Sequence, residues 1–145
     1  MWKVILTVAV LSAGRASACP VLEPFDMAQI GGAELVLIGE VTAYEQLGGP
    51  LGGALVTVAV EEVLKGRSGD EVTFIWNRGM AQGPHEVLAR GRVLIGAMRG
   101  GRLVVTSRVP DMRPDLPSII QPYCGEVWMQ PATTRTVAAA REALE

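Results

Sequence analysis

Alternation of apolar and polar positions is clearest between Leu55 and Leu64, where Val56, Val58 and Val60 interleave with Thr57, Ala59 and Glu61. A period of two marks a half-buried strand. Glu34 to Tyr44, rich in Leu, Val and Ile, predicts a strand before it, and Gly48-Gly49-Pro50-Leu51-Gly52-Gly53 separates the two. Lys65-Gly66-Arg67-Ser68-Gly69-Asp70 turns the chain into a third strand, Glu71 to Trp76, with Val72, Phe74 and Trp76 on one face. A Gly-containing loop runs from Asn77 to about Arg90. Arg92 to Met98 and Leu103 to Arg108 then predict a hairpin around Gly100-Gly101, a pair suited to the positive φ of a tight turn.

Helix signals flank these strands. In Phe25-Asp26-Met27-Ala28-Gln29-Ile30-Gly31, Asp26 can cap and Gln29 stands three residues on, as in a capping box. Phe25 and Ile30 are placed for a hydrophobic staple, and Gly31 can stop the turn. Beyond the fifth strand, Pro110, Pro114, Pro117 and Pro122 keep the chain extended or turning. Thr133 to Leu144 reads as a final helix with Val137, Ala140 and Leu144 on one face. Five strands of this length with a helix at the end fit a small closed barrel. Its expected core includes Val36, Ile38, Val58, Val60, Phe74, Leu94, Ile95 and Val104.

The start of the chain sets its compartment. Lys3 precedes an apolar run, Val4 to Leu11, that is too short to span a bilayer, and Ala16-Ser17-Ala18 is a small-x-small cleavage site. Residues 1–18 therefore read as a secretory signal peptide, with Cys19 the first residue of the exported chain. A lipoprotein signal is the rival reading for Cys19, but it normally wants Leu where this chain has Ala16. The only other cysteine is Cys124. Two cysteines in an oxidising compartment predict one bridge that ties the new N-terminus to the C-terminal region.

Charge narrows the partners. Lys3 and Arg15 fall in the signal, leaving 11 basic against 15 acidic side chains, a net charge near −4. A mildly acidic surface argues against tight nucleic-acid binding, which draws on clustered Lys and Arg. Gly, Arg or Glu interrupts each later apolar run, so no transmembrane span is expected in the mature chain.

Candidate chemistry is sparse. His85, in Gly83-Pro84-His85-Glu86, is the only histidine and cannot make a multi-His metal site. No Gly-x-Ser-x-Gly or phosphate-binding loop is present, and Gly48 to Gly53 lacks the Lys-Ser/Thr of a nucleotide loop. Glu61-Glu62 and Asp70-Glu71 are adjacent strand residues that point to opposite faces, so neither pair converges on one substrate. The expectation is a protein that is not an enzyme, with no catalytic residues, metal or cofactor. Trp76 reads as core by its strand pattern, and Trp128 as a pin between the last helix and the barrel. The alternative use of these two rings is stacking on sugars, as in some OB-folds.

The order of these features resembles the netrin-like group, which includes the N-terminal domain of tissue inhibitors of metalloproteinases and bacterial members. The resemblance is carried by Cys19 at the mature start, Ala33-Glu34-Leu35-Val36-Leu37-Ile38-Gly39-Glu40-Val41, Glu62-Val63-Leu64-Lys65-Gly66, Gly91-Arg92-Val93-Leu94-Ile95-Gly96, Gly101 to Val105, and the distal Cys124 after a Pro-rich loop. It spans Cys19 to Cys124 and departs from the group in three ways. Cys19-Pro20-Val21 replaces Cys-x-Cys, at most one bridge is possible, and Pro20 stands where Ser or Thr is common.

The resemblance implies an all-β fold: a five-stranded OB-type barrel over residues 19–126, with a short N-terminal helix and a C-terminal helical extension over 127–145. It also implies a secreted or periplasmic non-catalytic binding module, in its most specific form an inhibitor of a secreted zinc metalloprotease. There the free α-amine and carbonyl of Cys19 would chelate the protease's zinc. An envelope structural or glycan-binding protein is the alternative.

Overall fold

The computed structural model describes residues 19–49, 52–104, 110–113 and 115–145. The signal peptide expected over residues 1–18 lies outside the described residues, as do residues 105–108 of the expected fifth strand and the side chain of Val104. Among the described residues a 3-10 helix, Met27–Gly32, precedes eight strands: β1 (Leu35–Gln46), β2 (Ala54–Lys65), β3 (Glu71–Trp76), β4 (Arg92–Met98), β5 (Gly101–Val104), β6 (Pro110–Arg113), β7 (Ser118–Ile119) and β8 (Met129–Pro131). Helix α1, Thr134–Leu144, ends the chain.

Five of the strands close a mixed barrel in the order β1-β2-β3-β7-β4, with β4 returning to β1. β1 pairs antiparallel with β2, placing Glu40 opposite Ala59, and its first half pairs antiparallel with β4, from Leu35 opposite Ala97 to Glu40 opposite Arg92. β7 seals the remaining gap, parallel to β3 at Ile75 and Ser118 and antiparallel to β4 at Ala97 and Ile119. This is the OB-type barrel. β8 adds a sixth strand along β4, with Met129 opposite Ile95.

The closing strand is not the one expected. Leu103 to Arg108 was to pair back on β4, but β5 pairs with β6 in a separate two-stranded sheet. The physical reason is that both edges of β4 are occupied, one by β1 and the other by β7 and β8. Closure parallel to β3 requires a crossover rather than a tight turn. The chain makes it through the Pro-rich segment, and two residues suffice to seal the gap. No periodicity is visible in so short a strand.

Two cores explain the imperfect alternation of β1 and β4. Leu35, Leu37, Val56, Val58, Phe74, Trp76, Val93, Ile95 and Ala97 fill the barrel. Val36, Ile38 and Leu94 point outward, yet they are buried beneath the 3-10 helix and α1, together with Ile30, Trp128, Val137 and Ala140. A strand covered on both faces loses its polar face. Of the expected core, Val36, Ile38, Val58, Phe74, Leu94 and Ile95 are buried, and Val60 is half-buried against the barrel interior. At Gly96 a Cβ would lie 2.9 Å from Cε3 of Trp128, so only glycine leaves room for the indole against β4.

Both helices are capped, the first by the Asp26 that the sequence marks. Asp26 accepts from the backbone N–H of Ala28 at 3.0 Å, and the side-chain amide of Gln29 donates to the Asp26 carboxylate at 3.3 Å. Thr133 caps α1 through the N–H of Thr136 at 3.2 Å. Arg141 of α1 donates to both carboxylate oxygens of Glu62 on β2, at 2.9 and 2.7 Å. Replacing Val58, fully buried in the barrel, by Asp would bury an unpaired carboxylate, at a cost of several kcal/mol. V58D is expected not to fold. Far-ultraviolet circular dichroism with a thermal scan checks this, and a cooperative transition near that of the native chain would contradict the register.

Candidate functional site

The first described residues form a strap that is locked onto the chain's C-terminal third. Cys19 and Cys124 are disulfide-bonded, with Cα atoms 5.5 Å apart across a separation of 105 residues. Glu23 donates its N–H to the carbonyl of Cys124 at 2.9 Å, and Glu126 returns an N–H to the carbonyl of Glu23 at 2.9 Å. The N–H of Phe25 reaches the Glu126 carboxylate at 2.9 Å. Phe25 then meets Trp128 edge to face, with ring centroids 5.7 Å apart. Covalent, backbone and aromatic contacts thus hold one short segment, and residues 122–126 form the seat for it.

The loop after β3 completes this end of the barrel. Ala89 is buried among the barrel's interior residues and acts as a plug. The N–H of Met80 donates to the carbonyl of Tyr123 at 2.9 Å, and the N–H of Val127 donates to the Gln82 side chain at 2.6 Å. Gln121 links the two segments from beneath. It accepts from the indole N–H of Trp76 at 3.1 Å and donates to the carbonyl of Gly125 at 2.8 Å.

The outcome is an exposed apolar edge around the disulfide. Val21 is 72% exposed, Tyr123 65% and Met80 53%. Val87 and Leu88, on the same loop as Met80, are also exposed.

Other residues singled out in the sequence fall elsewhere. Trp76 is fully buried and Trp128 is 8% exposed, so neither ring offers a free face for a sugar. Glu61 pairs with Arg92 at 2.6 Å, while Glu62 pairs with Arg141, and the two carboxylates do not converge. Nδ1 of His85 accepts from the N–H of Val87 at 3.2 Å, which makes this histidine a brace of its own turn. Among the described residues no group of three or more His, Cys, Asp or Glu side chains could hold a metal ion. Nor is any of their helices long and apolar enough to cross a membrane.

Sequence reasoning anticipated Cys19 and Cys124 but missed Met80, Gln82, Gln121 and Tyr123. The only available cue was the adjacency of Tyr123 to Cys124, because a polar loop carries no period that reveals its packing.

No family model matches this chain, and no curated protein matches it.

Replacing Cys124 by Ser is expected to lower stability by about 2–5 kcal/mol, as for bridges in small secreted domains. Urea unfolding of C124S beside the native protein measures it, and an unchanged midpoint would refute a stabilising bridge. Tyr44 packs on the loop side of the barrel, and its phenol is raised above the ordinary tyrosine value of 10.0, by burial first and by the nearby Glu86 carboxylate second. The neutral phenol is therefore favoured in the folded state. Its contribution is fully present below about pH 10 and is lost as pH rises through the raised value. In a Tyr123→Phe background, absorbance of tyrosinate should titrate above pH 10, and Glu86→Gln should bring the midpoint down.

Proposed function

We propose that this protein is an exported, non-catalytic binding module of the netrin-like kind. It docks on another protein through the edge around Cys19, and in its most specific form it inhibits a secreted zinc metalloprotease. The observation that carries this reading is the disulfide, which braces Cys19 beside the exposed side chains of Val21, Tyr123 and Met80. A projecting, pre-ordered segment loses little conformational entropy on binding.

The chemistry follows from the expected cleavage after Ala18. It leaves Cys19 with a free α-amine and a carbonyl oxygen, and a catalytic zinc keeps an open position for such ligands. Pro20 removes only its own N–H and fixes the direction in which the chain leaves the metal. Val21 and Tyr123 flank that point with apolar surface, suited to the walls of a substrate cleft. Export itself is supported by the bridge, which persists in an oxidising compartment.

The test compares three forms of the protein against a panel of secreted zinc proteases: the native Cys19 amine, the same chain with one extra Ala, and the acetylated chain. Acetylation removes the lone pair that a zinc ligand must offer. Inhibition confined to the native form is the expected result. Equal inhibition by all three would place the contact on the loop of Met80 instead, and no inhibition by any form would favour a non-inhibitory envelope module.

A further inference from the structure

The opposite end of the barrel, where β1 begins, carries a cleft that the docking edge does not use. Its volume is about 260 Å³, and it lies where the β2–β3 turn, the β4–β5 turn and the segment leading into β7 converge. The floor is apolar: Leu35, Val72 and Pro117. The rim carries two arginines, Arg67 from the first turn and Arg99 from the second.

Both arginine-bearing turns are braced by the same stretch of β1 and the residue before it. Gly66 has a φ of +85°, and a Cβ there would lie 2.5 Å from the carbonyl oxygen of Glu34, so the first turn sits directly on that backbone. The N–H of Arg99 donates to the Glu34 carboxylate at 2.6 Å, and the N–H of Glu34 donates to the carbonyl of Ala97 at 3.0 Å. On the third side, the carbonyl of Pro117 accepts the N–H of Ile75 at 2.9 Å. The backbone around the cleft is therefore ordered before any ligand arrives.

The arginine side chains are not. Neither the Arg67 nor the Arg99 guanidinium has an ion pair or hydrogen bond among the described residues. Two carboxylates share the rim, Glu71 and Asp115, and Asp115 already lies 3.7 Å from Arg113. In a chain of net charge −2, this cleft sets two cations, unpaired among the described residues, over an apolar floor.

We infer that this cleft binds a small organic carboxylate with an apolar body, held at its charged end by Arg67 and Arg99 and at its hydrocarbon end by Leu35, Val72 and Pro117. A guanidinium matches a carboxylate with two parallel N–H donors. The apolar floor gives the rest of the ligand a place that a bare inorganic ion would leave wet. Glu71 and Asp115 repel a compact dianion more than a singly charged group, which sets the preference for a monocarboxylate over sulfate or phosphate. The site is independent of the proposed docking edge.

The experiment is an amide NMR titration of the disulfide-bonded protein with sodium hexanoate at low ionic strength, beside hexanol, sodium sulfate and the R67Q/R99Q protein. Hexanoate is expected to shift the amides of Ser68, Gly69 and Gly100 in a saturable way. The double variant should bind it at least about tenfold more weakly, the scale of one lost charge-assisted hydrogen bond. Hexanol should give no saturable shift. Both arginines are exposed and their guanidinium groups have no partner among the described residues, so the amides of Val36 to Ile38 should not move in the variant. If the variant nonetheless fails to fold, salt serves instead. Raising ionic strength from about 0.01 to about 1 M shortens the screening length from about 30 to about 3 Å and must weaken binding to the native protein. The inference is overturned by no saturable shift with hexanoate, by undiminished binding to a folded double variant, by salt-insensitive binding, or by sulfate or hexanol binding as tightly as hexanoate.

Discussion

Everything in this molecule leans on the first half of β1. Val36 to Gly39 is paired along both edges, with β2 and with β4, and this double pairing curls the sheet into a barrel. The same residues are covered on both faces. Leu35 and Leu37 enter the barrel core, while Val36 and Ile38 enter the core beneath the two helices. A buried strand with no free edge and no wet face has one register available, because a slip by one residue exchanges two sets of side chains at once.

The two ends of the barrel inherit different chemistry from this arrangement. At one end, a long loop plugs the core with Ala89 and presents Met80, Val87 and Leu88 to water. The strap from Cys19 to Asp26 is bonded down next to it. At the other end, short turns pack on Glu34 and Leu35 and turn charged side chains toward a shallow cleft. Strands supply the rigidity and loops supply the surface chemistry, as expected where binding groups sit on connections braced by a scaffold.

The strap also shows how a small domain gains order from a few contacts. Its disulfide closes a loop of roughly 100 residues, which limits the unfolded chain more than a short loop would. Two backbone hydrogen bonds and the edge-to-face contact of Phe25 with Trp128 continue the clasp onto the second core. Trp128 in turn fits only because residue 96 is glycine. A cystine at the surface and an indole beneath α1 therefore belong to one connected set of contacts.

How much of this was legible in the sequence follows from the range of each interaction. Local periodicity and capping chemistry located β2, β3, β4, the Asp26 cap and the final helix, since those depend on residues within one turn or one strand. The even cysteine count located the bridge. The fifth barrel strand was misplaced because a two-residue strand has no period, and because the choice between β5 and β7 depends on which edges of β4 remain free. The exposed apolar edge and the arginine cleft were equally invisible, since Met80 meets Tyr123, and Arg67 shares a cleft with Arg99, only after the barrel has closed. By itself, then, the sequence determined the first four strands, the Asp26 cap and the covalent tie, which are short-range or countable. Tertiary structure alone decided which strand seals the barrel and which distant side chains share a surface, because those outcomes depend on which edges and faces are already occupied.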